Sequence, residues 1–315
     1  MKLLDFKWIL VSILLSSSIW SGELPVIDGN LSYSQKSLSL YREDALSLTR
    51  NRPFLRHMCG ESDGKPLIFI HGFGTDASRW DYMYGHLANR GICDDYSVYY
   101  FQYDWRRRIS FSARRLLAYM RREKFVRSPV IVAHSMGGLV AREALRLRAM
   151  RNPQLPPDAI IGRLVTLGTP HLGSKLASLS YLPVCASARD LRKSSRFIRR
   201  LNDSADEKRL RSRYYLAAGT MGYYYKCVVW DGEECSVEVP VWRDSYSDAI
   251  KATYMVLRKP NDGIVERRSA LFIGDASVHR VGWKRLAWYS HAKLLTGVKA
   301  HRLVYAKLME ALAEE

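Results

Sequence analysis

The stretch Pro129-Val-Ile-Val-Ala-His-Ser-Met-Gly-Gly138 decides the fold, because a short apolar run leads into a turn and then into a helical pattern. Its first part, Val130–Ala133, has the composition of a strand that is buried on both faces. Helical periodicity begins at Gly138 and continues to Met150. Ser135 is therefore predicted to lie on a tight strand-to-helix turn, where small residues on either side prevent collisions with the strand and the helix.

Further apolar runs and helical patterns alternate on both sides of this turn. Five other runs have the length and composition of strands: Pro66–Ile70, Ser97–Phe101, Leu164–Leu167, Tyr214–Ala218 and Ser277–Val281. Other helical patterns lie between and after them: Ala77–Ala88, Ser112–Arg122 and Ala300–Ala313. This alternation predicts an α/β fold in which helices cover both faces of a mostly parallel central sheet.

Two stretches interrupt the alternation, and each is too long for a simple connection in a compact domain. The first covers about residues 173–213 and the second about residues 221–258. We expect both to be functional insertions. Since no linker divides the chain, residues 23–315 are predicted to form a single domain.

The N-terminus has the pattern of a secretory signal peptide over residues 1–22. Lys2 and Lys7 accompany an apolar run at Trp8–Leu15, and mostly small residues follow. The apolar run is too short for a membrane-spanning helix. The sequence therefore predicts an exported protein, secreted or periplasmic, and the alternative is an uncleaved N-terminal membrane anchor.

Composition is that of an ordinary folded protein, and charge is its unusual feature. Hydrophobic residues make up 47% and charged residues 25% of the 315 residues, which excludes a disordered chain and a polytopic membrane protein. Lys and Arg number 49 against 31 Asp and Glu, for a formal net charge of +18. Such a surplus bears on partners rather than on fold, and it suits nucleic acid, anionic lipid or an acidic polymer.

The five cysteines include no Cys-x-x-Cys pair, so neither a zinc ribbon nor a thioredoxin-type site is expected. Cys227 and Cys235 flank an Asp-Gly turn signal, and a disulfide across that hairpin is one prediction. Cys59 with Cys93 would form a second bridge and would leave Cys185 unpaired. The alternative is that all five are buried thiols that act as small hydrophobic residues.

A second glycine-rich turn, His71-Gly-Phe-Gly74, follows the first predicted strand. Its backbone is flexible enough to turn an N–H inward, so the N–H groups of Phe73 and Met136 are predicted to form an oxyanion hole. His71, Gly72 and Gly74 are expected to support this loop. The loop lacks the Walker and G-x-G-x-x-G spacings of phosphate-binding loops.

Together these segments resemble the lipases and esterases of the α/β-hydrolase superfamily. HGFG at 71–74, AHSMGG at 133–138 and LGTPHLGS at 167–174 occur in the order found in that family, and FQYDWR at 101–106 resembles the YDWR segment of lecithin:cholesterol acyltransferase-like lipases. The resemblance covers about Pro66 to Leu294. It implies an α/β-hydrolase fold with a lid at the first insertion, and neither a metal nor an organic cofactor.

The family's chain order of serine, acid and histidine assigns partners to Ser135. Asn261-Asp262-Gly263 resembles the family's acid turn, and His291 follows the last predicted strand, where a loop can hold an imidazole over the serine. The resemblance thus implies that Ser135 is the nucleophile, His291 the general base and Asp262 the carboxylate that orients the base.

The remaining candidates fit this order less well. Asp275 and Asp248 are the reserve carboxylates. Among the other downstream histidines, His171 comes too early in the chain, His279 lies inside the last predicted strand and His301 lies on the final helix.

Basic residues are concentrated in two places. Nine are opposed only by Glu123: Arg106, Arg107, Arg108, Arg114, Arg115, Arg121, Arg122, Lys124 and Arg127. The first insertion mixes basic and apolar residues: Arg189, Arg192, Lys193, Arg196, Arg199 and Arg200 with Leu176, Leu179, Tyr181, Leu182, Val184, Phe197 and Ile198. One hypothesis is that this lid and the basic face dock on an anionic lipid surface through apolar insertion and electrostatic attraction. The alternative is a charged face that only aids solubility.

The resemblance implies a serine hydrolase that cleaves carboxylic esters of lipids through an acyl-enzyme on Ser135. A phospholipase or a lipid acyltransferase would use the same three residues and would differ in the substrate or in the nucleophile that resolves the acyl-enzyme. An alternative of another class is a catalytically silent lipid-binding protein with the same fold. Nucleic acid is not an expected partner, because no nucleic-acid module accompanies the basic residues.

Overall fold

The computed structural model of the chain describes residues 53–179, 185–231, 234–242, 248–271, 282–287 and 289–314. The predicted signal peptide lies outside these ranges. The strands are β1 Phe54–Cys59, β2 Lys65–Ile70, β3 Tyr96–Gln102, β4 Val130–His134, β5 Arg163–Leu167, β6 Tyr214–Thr220, β7 Tyr223–Asp231, β8 Glu234–Trp242 and β9 Gly282–Ala287. Seven of them form one sheet in the order β1-β3-β2-β4-β5-β6-β9, and β7 and β8 pair separately as an antiparallel hairpin.

The helices alternate with these strands and are α1 Asp81–Ala88, α2 Ile92–Asp95, α3 Ile109–Arg122, α4 Met136–Arg151, α5 Pro157–Ile160, α6 Lys175–Leu179, α7 Ala186–Asp190, α8 Arg196–Asp203, α9 Ala205–Lys208, α10 Asp248–Val256, α11 Arg267–Leu271, α12 Lys293–Thr296 and α13 Val298–Ala313. Single 3-10 turns precede α1, at Ala77–Trp80, and β6, at Arg211–Arg213. None of the helices in the described ranges is both long and apolar enough to cross a bilayer.

The central strands alternate their side chains between two apolar layers. In β2, Ile68 and Ile70 pack into the layer that also holds residues of α3 and α4, whereas Leu67 and Phe69 pack into the layer that holds residues of α1 and α13. All four side chains are fully buried. A strand that is apolar at every position, rather than at alternate positions, is what covering both faces of a parallel sheet requires.

The predicted α/β architecture is confirmed, with a mostly parallel seven-stranded sheet. All neighbouring strands in it are parallel except the edge strand β1, which runs antiparallel to β3 and was not predicted. The predicted strand at Ser277–Val281 lies outside the described residues. The last described strand, β9, starts at Gly282, where it pairs with Tyr215 of β6.

The first insertion contains α6 to α9, and its second half is anchored to the core by a buried ionic network. Arg142 of α4 donates to Glu207 at 2.7 Å and to Asn202 at 2.8 Å, and Arg211 donates to the second oxygen of Glu207 at 2.8 Å. The side chains of Arg142 and Glu207 are 0% exposed. A buried ion pair tolerates this environment only when its remaining hydrogen-bonding groups are also satisfied. This half of the predicted lid is therefore fixed to α4.

The apolar residues of α8 face the core and not the solvent. Phe197 and Ile198 are buried in the layer that contains α3 and α4. Insertion of these two side chains into a lipid surface would therefore require α8 to leave the core. The docking hypothesis itself stays a prediction. Leu179, Tyr181, Leu182 and Val184 have no described side chain.

One predicted disulfide is present. Cys59 at the end of β1 is bonded to Cys93 of α2, and Cys185 is a free thiol. The side chains of Cys227 and Cys235 lie outside the described part, although the hairpin predicted around them is formed by β7 and β8.

Candidate active site

Ser135 occupies a strained turn between β4 and α4. Its backbone angles are φ 53° and ψ −128°, a conformation that residues with a side chain rarely adopt. The Ser135 N–H donates to Leu167 O at 2.9 Å, which ties the turn to the end of β5. Because α4 begins at the next residue, the serine lies at the positive end of a 16-residue helix.

Glycines allow this turn and the His71–Gly74 loop to approach each other. A Cβ at Gly137 would lie 2.4 Å from His71 O and 2.5 Å from Ile70 O. A Cβ at Gly72 would lie 2.9 Å from the Cβ of Ser135. The sequence prediction that bulky side chains could not be accommodated beside Ser135 is therefore confirmed at Gly137.

Asp262 and His291 form a hydrogen-bonded pair although 29 positions separate them. His291 Nδ1 lies 2.8 Å from Asp262 Oδ2, and the His291 backbone N–H donates to Asp262 O at 2.9 Å. The Asp262 side chain is 1% exposed and the His291 side chain 12% exposed. Since Nδ1 is engaged with the carboxylate, Nε2 is the ring nitrogen left to exchange protons.

The turn around Asp262 holds this carboxylate rigidly. Its Oδ1 accepts the N–H groups of Ile264 at 3.0 Å and Val265 at 2.7 Å, so both carboxylate oxygens have partners. Gly263 has φ +93°, which explains why glycine follows the acid. Asn261 accepts the Gly263 N–H through its side chain at 2.8 Å. The acid turn is thus built by its own neighbours in sequence.

Two neighbours of the Ser135 turn, His134 and Gly168, lie against the Asp262–His291 pair. His134 Nε2 lies 3.1 Å from His291 O, and the two imidazole rings are 4.5 Å apart. Gly168, which follows the residue that bonds Ser135, has φ +61°, and a Cβ there would lie 3.0 Å from His291 Nδ1 and 3.1 Å from Asp262 Oδ2. The structure therefore brings Ser135, Asp262 and His291 to one edge of the sheet.

His134 is a supporting residue that the sequence analysis missed. Burial, followed by the nearby His291, lowers the pKa of His134 well below its ordinary value, so its ring is neutral near pH 7. A neutral ring donates its Nε2–H to His291 O, while Nδ1 has no partner among the described residues. Its position directly before the serine in AHSMGG was the available signal.

The two predicted oxyanion-hole donors are free for that role. In the described part of the chain, neither the Phe73 N–H nor the Met136 N–H has a hydrogen-bond acceptor. Met136 is the first residue of α4, where backbone N–H groups have no acceptor within the helix. The Phe73 ring packs on Trp105, with centroids 4.6 Å apart, and this contact holds the loop against the segment after β3.

His71 braces the loop, as predicted. Its Nδ1–H donates to Gly72 O at 3.0 Å, and its Nε2 accepts the Tyr103 N–H at 3.3 Å. The Tyr103 hydroxyl in turn donates to His71 O at 2.8 Å. Burial lowers the pKa of His71 to about 4, so the ring is neutral and keeps both bonds near pH 7. Gly74 completes the loop with φ +72°.

Two of the other candidate histidines, His171 and His301, bond to groups outside the Asp262–His291 pair. His171 is buried, accepts from Arg142 at 3.2 Å and bonds Thr166 at 3.2 Å, which makes it part of the ionic network. His301 bonds Leu295 O from α13. His279 and Asp275 lie outside the described residues, as does the side chain of Asp248. No group of His, Cys, Asp and Glu in the described part could hold a metal ion.

Comparison with known proteins agrees with this architecture. A model of the Alpha/beta hydrolase family matches residues 67–305. The mature form of Bacillus licheniformis lipase BlEst2 is similar in structure, with a TM-score of 0.58, 18% identity, and coverage of 83% of this chain and 98% of that protein. Aspergillus fumigatus lipase B matches with a TM-score of 0.51 and 14% identity over 91% of this chain and 60% of its own. No match was found among curated proteins.

At these identities the solved structures are evidence for the fold alone. The family match covers most of the sheet, including the turn at Ser135, the acid turn and His291. The chain therefore belongs to the alpha/beta hydrolase family.

Proposed function

We propose that this protein hydrolyses carboxylic esters of lipids through an acyl-enzyme on Ser135. The observation that carries the proposal is the buried Asp262–His291 pair, bonded at 2.8 Å, beside a serine on a strained turn. A serine hydroxyl needs a base to become nucleophilic, and the base needs a carboxylate that fixes its orientation.

In the proposed first step, Ser135 Oγ attacks the ester carbonyl carbon while its proton passes to His291 Nε2. The negative charge that develops on the carbonyl oxygen is stabilised by the Phe73 and Met136 N–H groups, and one such donor typically contributes about 3 kcal/mol. The Asp262 carboxylate accepts the Nδ1–H and stabilises the imidazolium. The tetrahedral intermediate then collapses, the alcohol leaves with the proton from His291, and the acyl group remains on Ser135.

In the second step, water replaces the alcohol as the nucleophile. His291 takes a proton from the water, whose oxygen attacks the acyl carbon, and the same oxyanion donors are used again. Collapse returns the proton to Ser135 Oγ and releases the carboxylic acid. Each group therefore returns to its starting state without a further reactant.

The lipid part of the proposal rests on the apolar surroundings. Trp105 covers Phe73, and Ile264 of the acid turn packs against Leu176 of the first insertion and Leu257. The partly buried Phe73, Trp105 and Ile264 thus put apolar side chains beside the proposed oxyanion donor and the acid, a setting that suits an apolar acyl chain. Two structurally similar proteins are named as lipases, which is consistent with this substrate class.

Export is proposed as well. The disulfide between Cys59 and Cys93 is of a kind that persists in oxidising compartments outside the cytosol. Together with the signal-peptide pattern of residues 1–22, it supports secretion or a periplasmic location.

The first test is labelling with a fluorophosphonate, which modifies activated serines. We expect the wild-type protein to label, Ser135→Ala not to label, and the exposed-serine control Ser212→Ala to label like the wild type. Hydrolysis of p-nitrophenyl esters of increasing acyl length, measured below and above the point of substrate aggregation, then tests the lipid preference. Absence of labelling in the wild type would favour a silent lipid-binding protein.

A second test separates hydrolysis from acyl transfer. When a long-chain alcohol and a labelled acyl donor are supplied together, a hydrolase releases mainly the labelled fatty acid. A labelled ester as the main product would instead assign the acyl-enzyme to a transferase. The FQYDWR segment, in which Asp104 pairs with Arg106 at 2.9 Å, is the sequence feature that makes this test necessary.

A further inference from the structure

A cleft lined by arginines lies between the start of α3, the end of α7 and the start of α8. Its volume is about 360 Å³. Its one acidic lining residue is Asp190. Five arginines line it: Arg108, Arg114, Arg189, Arg196 and Arg200. The cleft therefore carries a concentrated positive charge at a concave surface.

The one carboxylate of the cleft is already engaged. Asp190 accepts the Ile109 N–H at 3.0 Å, at the start of α3, and accepts from Arg108 at 3.1 Å. The Asp190 side chain is 6% exposed, so its charge faces these two donors rather than the solvent. Asp190 neutralises one arginine and accepts the N–H at the start of α3, so it is not available to the other four arginines of the cleft.

Three of the other arginines have no acidic partner. Arg200 pairs with Glu143 at 2.9 Å. By contrast, the exposed side chains of Arg114, Arg189 and Arg196 form no ion pair with any described residue. Guanidinium groups that converge on a concave site favour phosphate oxygens, because the planar fork makes paired charge-assisted bonds.

Two further features of the cleft suit an anion. Ser110, in the first turn of α3, accepts from Arg200 at 3.1 Å and keeps its O–H for another acceptor. Ser195 caps α8 by accepting the Ile198 N–H at 3.1 Å, and its own O–H is donated to Asp190 O at 2.6 Å. Both hydroxyls line the cleft, and both helices direct their positive ends toward it.

The cleft is linked to the candidate active site by one short segment. The segment after β3 packs Trp105 on Phe73, and three residues later it places Arg108 in the cleft. Its Arg106 carbonyl accepts the Ala186 N–H at 3.0 Å, which joins the segment to α7 on the far side of the cleft. Trp105, which contacts the side chain of a proposed oxyanion donor, and Arg108, which lines the cleft, are therefore three residues apart on one anchored segment.

We propose that the arginine cleft binds the phosphate of an anionic phospholipid headgroup and thereby docks the protein on a lipid surface. The choice of a lipid over a soluble phosphate rests on the proposed function, because a lipid esterase works at such a surface. Docking through this cleft is electrostatic, since the apolar side chains of α8 are buried. This binding site needs no movement of α8 to operate.

The test uses vesicle co-sedimentation of full-length protein carrying Ser135→Ala, so that the lipids stay intact. Vesicles of phosphatidylcholine are compared with vesicles in which part of it is replaced by phosphatidylglycerol. The cleft variant is Arg114→Gln/Arg196→Gln. The matched control, Arg121→Gln/Arg122→Gln, removes the same charge from exposed residues at the other end of α3.

We expect binding to the anionic vesicles to exceed binding to neutral ones and to weaken with salt. The cleft variant should lose about tenfold or more of its affinity for anionic vesicles, while the control stays close to the parent. Circular dichroism and thermal unfolding verify that both variants fold.

Equal losses in the cleft variant and the control would overturn the proposal in favour of a diffuse basic face. Equal binding of the parent to neutral and anionic vesicles would overturn it as well. Release of the parent protein from anionic vesicles by millimolar inorganic phosphate at constant ionic strength is expected of a cleft that binds phosphate. If inorganic phosphate instead stabilises the parent but not the cleft variant against thermal unfolding, while neither protein binds anionic vesicles, the lipid source is wrong and a soluble phosphate is the ligand. None of these readouts needs turnover, so a failure of the proposed esterase activity would be seen separately.

Discussion

Two buried carboxylates in this protein lie at nearly the same distance from a basic partner, but only one of them is suited to catalysis. Glu207 lies 2.7 Å from Arg142, and Asp262 lies 2.8 Å from His291. Both oxygens of Glu207 are bonded, one to Arg142 and the other to Arg211, and Arg142 also donates to Asn202. His291 differs, because its Nε2 has no partner among the described residues. Burial and a short distance are therefore common to both pairs, and the uncommitted nitrogen is what makes one of them suited to chemistry. We call Asp262–His291 the open pair and Glu207–Arg142 the closed pair.

The largest expected effect breaks the open pair. Asp262→Asn preserves the shape of the side chain but removes the charge that stabilises a protonated His291, so kcat for a soluble ester should fall by about 10⁴-fold. Thermal unfolding of the variant should remain cooperative. A kcat within tenfold of the wild-type value would show that Asp262 does not orient the base.

The next largest effect breaks the closed pair. Glu207→Gln leaves Arg142 buried without its counter-charge and should lower the free energy of unfolding by about 3–5 kcal/mol, measured by urea denaturation. The Lys307–Glu310 pair, in which the glutamate side chain is 47% exposed, supplies the control, because Glu310→Gln should cost no more than about 1 kcal/mol. At a temperature where both variants are folded, their kcat values should match the wild type. A large loss of kcat in the folded Glu207→Gln protein would mean that the network acts on the site.

A third prediction concerns the loss of stability in acid, through His171, which bonds Arg142 of the closed pair. Burial, with Arg142 and Arg211 nearby, lowers the pKa of His171 well below the ordinary value of 6.5. As the pH falls below about 6.5, the unfolded chain takes up a proton on this residue that the folded chain does not, so stability decreases with falling pH. The slope from this histidine approaches about 1.4 kcal/mol per pH unit.

The measurement is the urea midpoint of the wild type and of His171→Gln at several pH values between neutrality and pH 5. The variant is expected to be less stable throughout but to show a shallower pH dependence. Parallel curves for the two proteins would contradict the assignment of a neutral, acid-sensitive His171.

The smallest expected effect concerns the support of the open pair. His134→Ala removes the hydrogen bond to His291 O, a contact of the kind typically worth about 1 kcal/mol, so kcat/KM should fall by several-fold. His134→Gln retains a donor and should recover part of the loss. Identical values for the alanine and glutamine variants would show that the bond does not position His291.

Much of the architecture could be predicted because the residues of each strand indicate that strand on their own. The strands β2 to β6 are short apolar runs, and glycine or proline borders β2, β4 and β5. The edge strand β1 could not be recognised, because its six residues FLRHMC are only partly buried and mix polar with apolar side chains. The strand β9 was not recognised from its own residues, GWKRLA, because they mix polar with apolar side chains and the strand pairs in register with β6. The strand predicted at residues 277–281 lies outside the described residues.

The candidate site was predictable where a turn has its own chemistry, as at Ser135 and Asn261-Asp262-Gly263. The meeting of Asp262 with His291 required knowledge of the family's chain order, since no local pattern connects them. The anchoring of the first insertion was not predictable, because Glu207 and Arg211 read as ordinary surface charges until Arg142 is placed between them in space. The same is true of the arginine cleft, whose residues come from three helices.

Gly168 has a practical consequence for anyone who wishes to redesign this protein. Its missing side chain is the space in which the Asp262–His291 contact is made, and even one methyl group would lie 2.8 Å from Leu294 Cδ1. Libraries that diversify the pocket should therefore leave codon 168 untouched. An alanine at that codon would retain every reacting side chain and crowd the contact between two of them, at a φ of +61° that disfavours any side chain.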